Sequence, residues 1–500
     1  MELLTEKYEK DISCVLSCYD RIIISGTLPE ISYAEGMTGY MYQKGVRIFD
    51  YPKFAEPFKE TIRSNAEQLA KEHGVEIEFI RKAGVRKESI ITEKIKKRGS
   101  HPGLVHIISV MEVCNTYKPW HDKTTGKTFL RPDTSKCLHY YFYFIDEQLG
   151  LCYVRVPTWC PFRLQVYLNG HNFLAWELKQ AGIIYTMIDN AFDSLEDADK
   201  AQELSDSLSI EKLHRKLDEF AWRFCPVYKD FNLRYHWSVM QAEYATDIVF
   251  KKQESLQKIY SELMATAMHT VKPENIATFL GQKLDPRYQG EVGNNYNVRI
   301  QGSRIKHTMG KVSIKMYDKF SKILRIETTT NDISFFKHFR EVVHRDGTKS
   351  YQVAPLKKNI YSLSFLADNL KAANKRYLEF ISAFDNKEVG RKRLENITSS
   401  KSKNNRNYKG INFFNKEDLL VLKAIARGEF NINGFRNKNM QKLLGFNSSK
   451  ISRLIKRLSI HGLVKKVAGT YKYYLTKVGK ETIVMAEKIK ELVLVPAYCY

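Results

Sequence analysis

NKEDLLVLKAIARG (residues 415–428), MQKLLGF (440–446), NSSKISRLIKRLSIHG (447–462) and LVKKVAGTYKYYLTKVG (463–479) follow one another in the order of a winged helix-turn-helix. In the first, Asn415 supplies an N-cap oxygen, and Leu419, Leu420, Leu422 and Ile425 recur at helical spacing. The second is a short helix stopped at Gly445. The third sets Ile451, Leu454, Ile455 and Leu458 on one stripe and stops at Gly462, since a chain leaving a helix through the left-handed region favours glycine. The last reads as two strands about a Gly469 turn, the wing. Facing outward are Ser448, Ser449, Lys450, Arg453, Lys456 and Arg457 on the third helix and Lys472 on the wing. Hydroxyls and cations of this kind bond phosphates and base edges. Such a module also docks proteins, and a basic helix face is also an ordinary solvated surface, so these readings stay open.

The whole chain leans toward polyanions. Its 500 residues carry 80 Lys+Arg against 56 Asp+Glu, a formal charge of +24. That field gives salt-sensitive, sequence-independent affinity for DNA or structured RNA. No apolar run is long enough to span a bilayer, and MELLTEKYEK at the start lacks the pattern of a signal peptide, so no membrane partner is expected and the cytoplasm is the expected compartment. Eight cysteines without a CxxC pair predict reduced, buried thiols and no zinc site. No P-loop or dinucleotide glycine fingerprint is present, which argues against a nucleotide-driven motor. The sequence is compatible with a homo-oligomer without specifying one.

At about 100 to 200 residues per domain, a chain of this length predicts three or four units, of α/β multidomain class. Residues 1–135 alternate strand-like and helix-like stretches. Residues 136–270 open with LHYYFYFIDEQLGLCYVRVP, a hairpin turning at Gly150, then FRLQVYL as a third strand, HNFLAWELKQAG as a helix and IIYTMIDN as a fourth strand reaching Asp189, with helices after it. Residues 271–395 read as α+β and include the strand pair VSIKMYDK and KILRIETT. Residues 396–412, with SSKSKNNRNY at their heart, are polar and basic enough for a flexible linker into 413–500. No internal repeat is visible.

Hairpin, strand, helix, strand is the opening order of the RNase H-like scaffold of many transposases and nucleases, which the 136–270 region resembles. The resemblance implies an RNase H-like α/β body with helical insertions, with carboxylates on its first and fourth strands. Here those are Asp146 and Asp189, with Asp20 of CYDRIII as a rival first-strand ligand. Carboxylates so placed hold Mg²⁺, a hard cation that prefers oxygen, for in-line displacement at phosphorus. The plainer readings are an acidic hairpin turn at Asp146 and an Asx turn at Asp189–Asn190.

GSRIKHTMGKVSIKMYDKFSKILRIETT (302–329) resembles a stretch of the rolling-circle replication initiators of small plasmids and phages. That resemblance implies Tyr317 as a nucleophile on a DNA phosphate, Lys315 and Lys319 as its neutralising cations and Glu327 as a metal ligand. The usual histidine-hydrophobe-histidine motif is absent. The plainer reading of Tyr317 is a half-buried strand tyrosine bonded at its hydroxyl. Lys123 in KPWHDKTTGKTFLR, and Arg155 and Arg163 interleaved with Trp159 and His171, offer a further nucleic-acid surface, because bases stack on aromatics while phosphates pair with cations.

Blocks such as HPGLVHIISVMEVC, KPWHDKTTG, RIKHTMG, IKMYDK, LRIETTTNDISFFKH and HRDGTKSY resemble those of a transposase-like family of prokaryotic proteins associated with mobile elements. The resemblance implies a part in an element's DNA or RNA transactions and transfers no catalytic residue. Two classes therefore stand: a Mg²⁺-dependent enzyme that cuts or joins strands, aimed by the winged helix, and a non-catalytic binder of DNA or structured RNA. The residues alone leave open whether the chain is an enzyme.

Overall fold

The computed structural model describes residues 3–82, 84–284, 288–299, 302–382, 387–490 and 494–495. The chain divides into two compact units, Met1–Phe384 and Asp385–Tyr500.

The first unit is mixed α/β, built on one large sheet. In chain order its strands are β1 (Ile12–Thr27), β2 (Ile77–Ile80), β3 (Gly103–His121), β4 (Thr128–Asp146), β5 (Gly150–Pro157) and β6 (Leu164–Leu168). A small sheet of β7 (Tyr185–Met187) and β8 (Phe192–Leu195) intervenes. The large sheet resumes with β9 (His236–Phe250), β10 (Val292–Arg299), β11 (Gly302–Met309), β12 (Val312–Lys319) and β13 (Ile323–Thr330), and β14 (Lys337–Val343) with β15 (Lys349–Pro355) forms a separate hairpin. Across the large sheet the order is β10-β11-β12-β13-β9-β1-β6-β5-β4-β3-β2. All neighbours are antiparallel except β2 and β3.

That order contains a repeat that the residues do not announce. A long strand, β1, is followed by the meander β3 to β6, whose last strand returns to pair with β1; β9 is followed by the meander β10 to β13, whose last strand returns to pair with β9. The two long strands lie side by side and antiparallel. The wiring thus has approximate two-fold symmetry about the β1–β9 seam.

Alternation along the strands sends one set of side chains to each face. On β4, Tyr140, Phe142 and Phe144 join the main core with helices Tyr51–His73, Ile210–Phe224, Gln253–Thr270 and Leu363–Ile381. Tyr141 and Tyr143 face the other way, under helix Lys87–Arg98. Helices Gly170–Gln180 and Ala198–Asp206 cover Leu16 of β1 on that second face. The covering is incomplete, and polar side chains occupy the sheet face between these helices.

Several expectations are revised. The boundaries at 135 and 270 do not separate units, because the β3–β4 hairpin runs across the first and one sheet unites residues 12 to 330. KPWHDKTTGKTFLR forms the end of that hairpin, closed by a turn at 122–127. The expected fourth strand is the short β7, which pairs only with β8 and lies outside the large sheet, so the RNase H-like strand arrangement is not formed there. Among the described residues no helix is long and apolar enough to cross a membrane.

In the second unit helices Lys416–Ile425, Asn437–Leu444 and Ser448–Ile460 precede β18 (Val464–Lys466) and β19 (Tyr473–Leu475), which pair as a hairpin. Asn415 caps the first helix by accepting from the Glu417 and Asp418 amides, and Gly445 ends the second at φ +68°. Ile451, Ile455 and Leu458 enter the core as their spacing requires. Residues 401–408, expected to be a flexible linker, form the hairpin of β16 (Lys401–Lys403) and β17 (Arg406–Tyr408). Its two-residue loop is Asn404–Asn405 with φ +51° and +55°, the left-handed pair that a tight hairpin needs and that asparagine tolerates.

Candidate functional site

Three carboxylates meet on the second face of the large sheet: Asp20 of β1, Glu243 of β9 and Glu327 of β13 each bring an oxygen within 4.8 Å of the others. Asp20 joins them by alternation from Leu16, which lies on the same face opposite Asp247, and a register irregularity then brings Arg21 to that face as well. Tyr19 pairs with Tyr244 and Arg21 pairs with Glu243, so Asp20 is the extra residue of a β-bulge. Tyr19 and Ile22 enter the main core, while Asp20 and Arg21 both turn to the polar face, where Arg21 reaches Glu243 at 3.9 Å. A regular strand would have sent one of the two away; bulges re-aim side chains in this manner.

Arg325 organises the centre. Its Nε and Nη2 each donate to Asp247 at 2.6 Å, Nη1 donates to Asp20 at 3.1 Å, and Nη2 also reaches the Asn190 carbonyl at 3.0 Å. Asn190 Nδ2 donates to Asp20 at 2.7 Å. His171 closes the back, with Nδ1 3.3 Å from Asp20, outside hydrogen-bond geometry, and Nε2 3.2 Å from Arg325 Nη2. His171 can come this close because residue 170 is glycine: a Cβ there would lie 2.5 Å from the Tyr19 carbonyl oxygen. Asn169 then caps the helix by accepting from the His171 amide at 2.8 Å.

Glu327 is buried and accepts from Lys315 Nζ at 2.5 Å and from the Tyr317 hydroxyl at 2.7 Å. Burial pushes its carboxyl up, but Lys315 and Tyr317 outweigh that and hold it below the usual range. Glu243 shifts the other way, raised by burial and by the charge of Glu327, with Lys315 3.7 Å away. A buried carboxylate pair of this kind relaxes by binding a proton or a cation. Asp20, Asp189, Asn190, Tyr317, Lys319 and Arg325 line a cavity of about 650 Å³. Burial, then the nearby Arg325 charge, lowers the Lys319 ammonium to about 8.

Of the residues singled out in the sequence, Asp20, Glu327, Lys315, Lys319 and Tyr317 come together here. Asp146 does not. Its Oδ1 accepts the Gln148 and Leu149 amides at the β4–β5 turn, and its Oδ2 accepts from Lys216 at 2.8 Å. Asp189 adopts φ +55° and leaves its side chain 76% exposed at the cavity rim, 3.9 Å from Lys319, while its neighbour Asn190 points inward. Glu243, Asp247 and Arg325 were missed. Asp247 and Glu243 lie in YATDIVF and MQAEY, strand stretches whose acids become informative only once β9 is known to abut β1.

In the stretches expected to offer an aromatic and cationic surface, Arg131 lies over the Trp120 ring at 3.9 Å. Arg155 is paired with Glu112, Trp159 donates to Thr116, His171 is buried, and Arg163 and Lys123 are exposed.

In the second unit Ser448, Ser449, Arg453 and Lys456 are exposed, and Lys472 partly so. Lys450 is shared with Glu417 at 2.5 Å and lies over the Phe446 ring. Arg457 belongs to the fold instead of the surface: it forks onto Asp418 at 2.7 and 2.8 Å and donates to the carbonyls of Lys409 and Gly410. A groove of about 890 Å³ separates β17 from helix Ser448–Ile460.

No protein-family model, curated protein or solved structure matches the chain.

Proposed function

We propose that the chain is a nucleic-acid-binding protein whose larger unit carries a divalent-metal-dependent phosphoryl-transfer centre and whose smaller unit is a winged helix that holds the nucleic acid. The observation that carries the catalytic part is the convergence of Asp20, Glu243 and Glu327 from three neighbouring strands beside a cavity walled by Lys319 and Arg325. The donor set suits Mg²⁺, since all three ligands are hard oxygens and burial together with the Glu327 charge outweighs Lys315 and Arg21 at Glu243. When bound, the ion would supply an activated water or hydroxyl and neutralise charge at phosphorus. Arg325 would fix the Asp20 carboxylate, Lys315 would hold Glu327, and Lys319 would meet a phosphate oxygen from the cavity wall. This triad takes the role that the sequence reading gave to Asp146 and Asp189.

A second reading, a binder without catalysis, has its own support: Lys315 and Arg325 already compensate Glu327 and Asp20. A role in a mobile element, in the cytoplasm and on DNA or structured RNA, rests on the sequence resemblance and the net charge. The test is a cleavage and strand-joining assay on labelled DNA and RNA with Mg²⁺ or Mn²⁺, comparing wild type with Asp20→Asn and Glu243→Gln. Activity lost in both variants with binding retained supports the enzyme. Binding by the wild type without turnover under any of these conditions supports the binder.

A further inference from the structure

The β16–β17 hairpin makes one wall of a basic groove whose other wall is helix Ser448–Ile460. From the hairpin side come Arg406 and Lys409, and from the helix Lys450, Arg453 and Lys456. Among the described residues no carboxylate lines this groove, and no ion pair engages Arg406, Lys409, Arg453 or Lys456, all of which are exposed. The two walls are fixed to each other. Arg457 of the helix donates to the Lys409 carbonyl at 3.0 Å and to that of Gly410 while forked onto Asp418, and the His461 ring lies 3.0 Å from the same Lys409 oxygen and 3.2 Å from the Asn396 carbonyl. A partly buried arginine that bridges a carboxylate and two carbonyls is a rigid brace, because each of its planar donors has a fixed direction. The Asn404–Asn405 loop holds the hairpin tight in turn.

We propose that this hairpin is a second wing, which grips the backbone of double-stranded DNA while helix Ser448–Ile460 enters the major groove beside it. The inference rests on the proposed nucleic-acid reading and adds to it the partner's form. Opposed pairs of cations across a rigid groove match a phosphodiester backbone, which carries one negative charge per nucleotide and releases counterions when neutralised. A duplex is specified because the helix and the hairpin cannot adapt to each other, so helix insertion and backbone contact must be met together at a fixed spacing. DNA is specified because the major groove of B-form DNA admits a helix, whereas that of A-form RNA is too deep and narrow.

The test uses the full-length protein and measures affinity for a 25-base-pair DNA duplex, the same single strand and the corresponding RNA duplex over a salt series. Arg406→Ala with Lys409→Ala should lower the log-log salt slope on duplex DNA by about 1.8, two contacts at about 0.9 each. The charge-preserving pair Arg406→Lys with Lys409→Arg should keep the slope, which separates charge from damage to the hairpin. Arg453→Ala with Lys456→Ala should lower the slope similarly. If the helix variant loses slope and the hairpin variant does not, the second wing is overturned while nucleic-acid binding by the winged helix stands. If neither variant changes binding, that broader reading falls as well. An equal loss on single strands or on the RNA duplex overturns the duplex-DNA assignment.

Discussion

Arg325 and Asp247 face each other as a two-pronged ion pair on neighbouring strands, both bonds 2.6 Å long and both residues at most 2% exposed. Register sets this contact, since Arg325 of β13 lies directly opposite Asp247 of β9. The charge of Arg325 holds the Asp247 carboxyl far below the usual range against the opposing effect of burial. Asp247→Asn should therefore lower unfolding stability by about 3 to 5 kcal/mol in urea melts, the cost of stranding a buried charge. A loss below about 1 kcal/mol would mean that Arg325 is compensated without Asp247.

Metal binding should announce itself in stability before any assay of turnover. Mg²⁺ at about 100 times its dissociation constant should stabilise the wild type by about 2.7 kcal/mol. Glu243→Gln should abolish that gain and, without metal, should unfold no more easily than the wild type, because the raised Glu243 carboxyl is relieved of its repulsion by Glu327. Asp146→Asn should leave the Mg²⁺ effect intact, since Asp146 serves the β4–β5 turn and Lys216. A Mg²⁺ response that survives Glu243→Gln and vanishes with Asp146→Asn would return the site to the hairpin.

The sequence was most legible where structure is local. Apolar spacing and caps located three helices and the hairpin of the second unit, because a cap such as Asn415 and a stop such as Gly445 act within one turn, although Leu420 stays exposed where Val421 enters the core and the second helix starts earlier, at Asn437. The β16–β17 hairpin was legible too, had Asn404–Asn405 been weighed as a left-handed pair instead of as polar filler. The large sheet was not, because residues far apart must be paired before its acids can be compared. Asp20 meets Glu327 only through β9, and the bulge that turns Arg21 onto the same face as Asp20 is signalled by no periodicity. Asp146 and Asp189 looked equivalent to catalytic acids because turns and active sites both favour aspartate at strand ends.

Tyr317 provides a separate test of the rolling-circle resemblance. Its hydroxyl donates to Glu327, and burial together with that carboxylate pushes it well above the ordinary tyrosine range, both unfavourable to a nucleophile. Tyr317→Phe should cost about 1 kcal/mol of stability, the worth of one hydrogen bond to a group that keeps Lys315 and Thr329 as donors. It should leave nucleic-acid turnover in place. A protein–DNA adduct seen on denaturing gels for the wild type and absent for the phenylalanine variant would restore the tyrosine mechanism.

Acid should weaken the larger unit before its carboxylates are titrated. Burial, reinforced for His139 by the Arg155 charge, lowers both His139 and His307 to about 4, and each is almost wholly inside. The unfolded chain takes up protons on these rings near pH 6.5 while the folded chain refuses them, so stability falls as pH drops from about 6.5 to 4 and levels off below that. Each ring contributes up to about 3 kcal/mol at the end of that window. His73, His106 and His338 are lowered as well and act in the same direction. Glu112, raised by burial but held down at about 2 by Lys87 and Arg155, adds its loss only below about pH 4.5, and the raised Glu243 works in the opposite sense. Urea melts between pH 7 and 4.5 should therefore show a steady decline in the wild type and a flatter profile in His139→Asn with His307→Asn. A profile equally steep in that double variant would show that the acid sensitivity arises elsewhere.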